Sequence, residues 1–248
     1  MNETSTKINL GKLLSYPFKD KKSFEKILIG SAILLVGVLI PILPMVIIEG
    51  YLYRMMKRVI SGDGELEMPE WNDFGKLLSD GIKLTLTRFI YYLPLIFLII
   101  GTVSIILASV FLLVFPVTTQ SEMNVPIVIL FVFIFFMGIT LAVFSGLFAT
   151  LIKLIFPLPL GQVVATDSIG AAFKFNSMWK ILKCNFVELI IVYVLGIGFA
   201  FVGGIVYQFL GITVILLVLL PAVTFLLHLY SYALYALAYR KGIEEIKA

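Results

Sequence analysis

The stretch FIYYLPLIFLIIGTVSIILASVFLLVF, residues 89–115, runs through twenty-seven positions without one Asp, Glu, Lys, Arg or His. A hydrocarbon core of about 30 Å needs roughly 20 apolar residues in a helix, so this run alone crosses a bilayer. Outward from it lie three more runs of the same kind: Val125–Ile152, Phe186–Leu210 and Ile212–Tyr239. Pro116–Asn124 separates the first two and carries no base and one acid, Glu122; Gly211 separates the last two, which predicts a tight hairpin.

Composition agrees. The 248 residues are 60% hydrophobic and only 14% charged, with a mean hydropathy of +1.07. Soluble domains carry about 25% charged residues, so the chain reads as one membrane domain, 1–248. A single cysteine, Cys184, excludes an intrachain disulfide and a Cys-based metal cluster. The formal charge of +4 is no nucleic-acid signal, because the bases border apolar spans; anionic lipid headgroups are the expected partner. Met1–Lys26 is polar and no signal-peptide cleavage pattern follows it.

All nineteen Lys and Arg residues fall in four segments: six in Met1–Lys26, six in Arg54–Arg88, four in Lys153–Lys183 and three in Arg240–Ala248. The positive-inside rule places these four segments in the cytoplasm, with both termini. Ile27–Tyr53 must then enter and leave on one side. Pro41 and Pro44 favour a turn within it, and the expectation is a helical hairpin, Ser23–Leu39 then Ile42–Ile60. Six transmembrane helices follow. The alternative, one continuous span with the N-terminus outside, gives five.

Leu10-Gly-Lys-Leu-Leu-Ser15 recurs as Phe74-Gly-Lys-Leu-Leu-Ser79, and more loosely as Ala172-Phe-Lys-Phe-Asn-Ser177. Each copy precedes a spanning segment. In the second copy Phe74, Leu77, Leu78, Gly81 and Ile82 share a helical face; in the third Ala172, Phe175, Trp179, Leu182 and Phe186 do. Basic amphipathic helices of this kind lie in the membrane plane. The predicted architecture is an all-α integral membrane protein of three units, about 7–60, 72–153 and 168–240, each an in-plane helix followed by a hairpin.

Glu49-Gly-Tyr51 with Arg54, then Gly62, Met68-Pro-Glu-Trp-Asn-Asp-Phe-Gly75 and Asp80-Gly81, preceded by Ser15-Tyr-Pro-Phe-Lys-Asp20, form a pattern. It resembles a prokaryotic membrane-protein family known as domain of unknown function 4013. Met68 and Asn72 stand where that family's loop usually has Leu and Asp. The resemblance covers nearly the whole chain, with the Pro-Glu-Trp loop as its specific part. It implies the fold and no activity.

The loop Gly62–Gly75 packs Asp63, Glu65, Glu67, Glu70 and Asp73 into eleven residues. One reading is a cytoplasmic docking or cation-binding element, although no EF-hand spacing exists. The other makes Pro69 a turn, Trp71 an interfacial anchor and Asn72 or Asp73 a helix cap. Within the spans, His228 shares a helical face with Tyr232, Tyr235 and Tyr239. Ionisable groups at such depth are candidates for a proton or substrate path; a neutral imidazole bonded to a tyrosine or a carbonyl needs no such role. Glu188 is expected to pair with Lys183 or Arg240, and Glu49 sits one turn from Arg54. Small residues at Gly138, Ala142, Gly146 and Thr150, and at Gly196, Ala200 and Gly204, predict close helix packing.

No nucleophile motif, phosphate loop or Cys/His metal pattern is present. The sequence thus points to a non-enzymatic, multi-pass protein of the cell membrane, without catalytic, cofactor or metal residues. A structural, regulatory or partner-subunit role at the cytoplasmic face is expected, with a membrane-protein partner or a second copy. The alternative is a component of a small-molecule or ion transporter with a path near His228.

Overall fold

A computed structural model describes residues 9–62, 66–118, 125–212 and 214–247. Among these residues the secondary structure is helical, without a strand. The helices are α1 (Leu10–Ser15), α2 (Ser23–Val36), α3 (Ile42–Ser61), α4 (Phe74–Thr118), α5 (Val125–Ile155), α6 (Pro157–Thr166), α7 (Phe175–Cys184), α8 (Phe186–Gly211) and α9 (Leu220–Lys247). Four helical stretches, Phe74–Val114, Val125–Thr166, Phe186–Gly211 and Leu216–Lys247, are long and apolar enough to cross a membrane.

The chain divides into two compact units. The first comprises residues up to Arg88 and from Leu154 onward; the second is Phe89–Lys153. In the second, α4 and α5 form a hairpin. Gly138 lets Ile106 approach, since a Cβ there would lie 2.9 Å from its Cγ1, and the Thr102 and Ser145 hydroxyls meet at 3.3 Å.

The first unit is built around α3 and α9. Eleven residues of α3 are buried, Tyr51, Leu52, Met55 and Met56 completely. α3 packs against α9, α2 and α6, and α9 also contacts α2, α6, α7 and α8. Ile27–Tyr53 is therefore two helices and not one continuous rod. Gly37–Pro41 breaks the stretch, and Pro41 caps α3 in a helical conformation compatible with its fixed φ.

Two local expectations need correction. The in-plane helix at 74–83 is no separate element but the start of α4, which runs on through Pro94 although proline donates no N–H to the ladder. Its stripe is also divided. Leu77 and Gly81 are buried, whereas Phe74 and Ile82 are exposed.

In α7 the expected apolar stripe points away from the unit at Phe175 and Trp179, as a surface-lying amphipathic helix requires. Phe175 is 63% and Trp179 57% exposed, while Met178 and Ile181 face the unit. In α8, a Cβ on Gly196 or Gly204 would meet nothing within 4 Å; the close approach is at Gly203, where Leu227 would lie 2.6 Å away. The small-residue stripe at Gly196, Ala200 and Gly204 is thus one face removed from the packing.

The segment between Lys153 and Lys183 also holds more than a connection. Pro157, at the first position of α6 where its missing N–H costs nothing, opens a helix buried from Pro157 to Val164. There the ring of Tyr239 rests on Gly161, so close that a Cβ would fall 2.1 Å from its Cγ.

Candidate functional site

The polar groups of the first unit gather where α3, the loop before α4, and α9 meet. Their positions follow from one tight crossing. A Cβ on Gly50 would lie 1.8 Å from the Leu77 carbonyl oxygen, and one on Gly81 would lie 1.8 Å from that of Val46. Only glycine permits α3 and α4 this backbone contact. The crossing brings the loop 66–73 down upon α2 and α3.

The loop is fastened from both sides. Lys26, buried to 4% exposure, donates to the Met68 carbonyl at 2.9 Å. Its ammonium pairs with Asp20 at 2.5 Å and with Glu70 at 2.9 Å. Tyr51 donates to the Pro69 carbonyl at 2.8 Å. The Trp71 indole donates to the Lys26 carbonyl at 2.9 Å and stacks on Tyr51 with centroids 4.0 Å apart.

Arg54 spends its guanidinium on Asn72 and Asp73. It donates to the Asn72 carbonyl and side-chain oxygens at 2.6 and 2.8 Å, and to the Asp73 carbonyl at 3.0 Å. Asp73 Oδ1 accepts from Lys76 N at 3.1 Å, the geometry of an N-cap for α4. Glu67 is exposed, and Asp63 and Glu65 lie outside the described residues. The loop therefore reads as a sewn-down surface, and Trp71 is anchored to the protein's own backbone.

Glu49 is buried, and Arg54 is not its partner. The carboxylate pairs with Arg88 of α4 at 2.5 Å and accepts the phenol proton of Tyr232 from α9. Arg88 also donates to Tyr232 and lies over its ring at 5.7 Å. One turn along α3, Tyr53 donates to Asp167 at 2.6 Å, and Lys83 bridges Asp167 and Asp80. Hydrogen bonds from Lys83 and then Tyr53 hold the Asp167 carboxyl below its ordinary value. A bond from the Lys26 ammonium does the same for Asp20.

The remaining candidates are dispersed. Glu188 pairs with Lys241 at 2.9 Å, one residue from the expected Arg240. His228 Nδ1 bonds the Thr224 carbonyl of its own helix at 2.8 Å. Tyr235 meets Tyr232 at 5.7 Å and Phe156 edge-on at 6.2 Å. Of the stripe proposed around His228, Tyr232 reaches the charged cluster. Among the described residues no three His, Cys, Asp or Glu side chains are placed to hold a metal ion.

Sequence reading missed Lys26, Arg88 and Asp167 as the partners of these groups. Their separation along the chain is too great for spacing to reveal. The one available signal was that Lys26 borders an apolar run and Arg88 immediately precedes one, where a base needs an acid or a carbonyl nearby.

A family model described as "Protein of unknown function (DUF4013)" matches residues 33–212, which include Glu49, the clamped loop, Arg88 and Glu188. No curated protein matches, and no solved structure does. The Glu-Gly-Tyr turn of α3 and the Pro-Glu-Trp loop, which carried the resemblance in sequence, are the parts that lock together in space, and the chain belongs to the DUF4013 family of proteins of unknown function.

Proposed function

We propose that this protein is a non-enzymatic, multi-pass component of the cell membrane that acts as a structural, regulatory or partner-subunit element at the cytoplasmic face. The observation that carries this reading is α7. One of its faces, Met178 and Ile181, is spent on the protein, while Phe175 and Trp179 stand outward among Lys174, Lys180 and Lys183. A basic helix with a free aromatic face suits the boundary between headgroups and acyl chains.

The tip of the α2–α3 hairpin supports the six-span version. Val38 is 78% and Leu39 83% exposed, an arrangement that favours insertion into lipid over contact with water. The three-unit organisation draws support from element order: a short helix precedes the α2–α3 pair and another precedes the α8–α9 pair. The route past His228 gains nothing from the geometry, since the imidazole bonds its own helix.

Reconstitution in liposomes tests the reading. It expects no solute uptake that depends on His228 or Glu188. Uptake abolished by His228→Ala or Glu188→Gln would contradict it in favour of transport.

A further inference from the structure

Beside the clamped loop, an open cleft of about 600 Å³ lies between the C-terminal half of α3 and the start of α4. Four bases line it: Arg54, Lys57, Arg58 and Lys76. Its acids are already engaged. Glu70 pairs with Lys26 and Asp80 with Lys83, and Asp73 accepts the α4 backbone.

Arg54 is likewise committed, to Asn72 and Asp73. Lys57, Arg58 and Lys76 form no salt bridge among the described residues; the Lys57 ammonium lies 5.8 Å from the Tyr53 ring and acts on Asp167 only through space. The uncommitted charge of the cleft is therefore positive. It comprises one planar guanidinium and two ammonium groups around a space larger than a carboxylate fills. A tetrahedral oxyanion satisfies such a set, with Arg58 able to donate in parallel to two oxygens.

We propose that this cleft binds the phosphate of an anionic ligand, supplied by a phospholipid headgroup or by a soluble phosphate ester. The lipid source rests on the membrane-face reading above; the soluble source does not. The phosphate sits between Arg58 and Lys76, with Lys57 completing its charge balance. The Arg54 bonds to Asn72 and Asp73 hold the α4 side of the cleft at a fixed distance from α3.

The test uses the full chain purified in a neutral detergent. Its thermal midpoint is followed with added phosphatidylglycerol, phosphatidylcholine or glycerol 3-phosphate. The expectation is a midpoint raised by phosphatidylglycerol and not by phosphatidylcholine. The response should weaken about tenfold in concentration dependence in Arg58→Gln/Lys76→Gln. It should persist in Arg58→Lys/Lys76→Arg and in the remote control Lys174→Gln/Lys180→Gln. A response to glycerol 3-phosphate lost in the same variant assigns the soluble source. If neither phosphate probe acts, or if Arg58→Gln/Lys76→Gln responds like the wild type, the proposal is wrong. That result leaves the membrane-face reading standing, because its topology is measured separately by labelling.

Discussion

Gly50 and Gly81 cross with their backbones in contact, each placed so that a Cβ would fall 1.8 Å from a carbonyl oxygen of the opposite helix. The obstructing atoms, the Leu77 and Val46 carbonyls, belong to helical backbone and have no rotamer by which to retreat. Gly50→Ala or Gly81→Ala must therefore push α3 and α4 apart, at a cost of about 3 kcal/mol or more. Gly146→Ala, where a Cβ meets nothing within 4 Å, should be neutral or stabilising by up to about 1 kcal/mol. Thermal midpoints of the three purified variants check this, and equal midpoints would refute the crossing.

Glu49, Arg88 and Tyr232 join three helices through one buried carboxylate. Removing its cation by Arg88→Ala leaves an uncompensated buried charge and should destabilise by about 3–5 kcal/mol. Glu49→Gln/Arg88→Ala should recover part of that loss relative to Arg88→Ala, because the unpaired charge is gone. A double-mutant cycle by denaturant unfolding reads the coupling directly. Strict additivity would mean that the pair is not formed.

Trp71 holds the loop by one hydrogen bond and one stacked ring. Trp71→Phe keeps a ring and loses the bond to the Lys26 carbonyl, for about 1 kcal/mol. Trp71→Ala loses the stacking as well and should cost about 3 kcal/mol. Limited proteolysis within 66–73 should follow the same order. A free docking arm would be cleaved equally in all three proteins.

Acid should loosen the Asp167 contact. Its carboxyl is held below the ordinary 3.8 by Lys83 and Tyr53. A depressed pKa contributes stability that is present above the unfolded value and is lost as pH falls through the folded one. Because Asp167 is half-exposed, the advantage of wild type over Asp167→Asn should be at most about 1 kcal/mol. It should be constant above about pH 5 and gone once the folded carboxyl is protonated. Asn tolerates the positive φ of 57° at this position, so the comparison isolates the charge. An advantage that grew on acidification would contradict the assignment.

Hydropathy made the long apolar helices readable, because length and composition alone specify them. The α2–α3 break was readable from Pro41 and Pro44. The loop was visible as a motif, yet its attachment was not. Lys26, Tyr51 and Arg54 each reach it at least in part through backbone carbonyls, and carbonyls carry no residue signature. α6 stayed hidden for another reason. Pro157–Val164 is short and apolar, and its burial depends on Tyr239, about eighty positions away. The packing face of α8 was misassigned because a stripe of small residues occurs on packed and on outward sides alike, and periodicity does not distinguish them.

The proposed six-span arrangement and working face both require that every Lys and Arg lie on the cytoplasmic side. Cysteine accessibility in a Cys184→Ser background measures it, with single substitutions Asn2→Cys, Glu67→Cys, Gln120→Cys and Lys247→Cys. A membrane-impermeant maleimide applied to intact cells should label only Gln120→Cys, and permeabilisation should expose the other three. Labelling of Asn2→Cys or Glu67→Cys from outside would contradict the account.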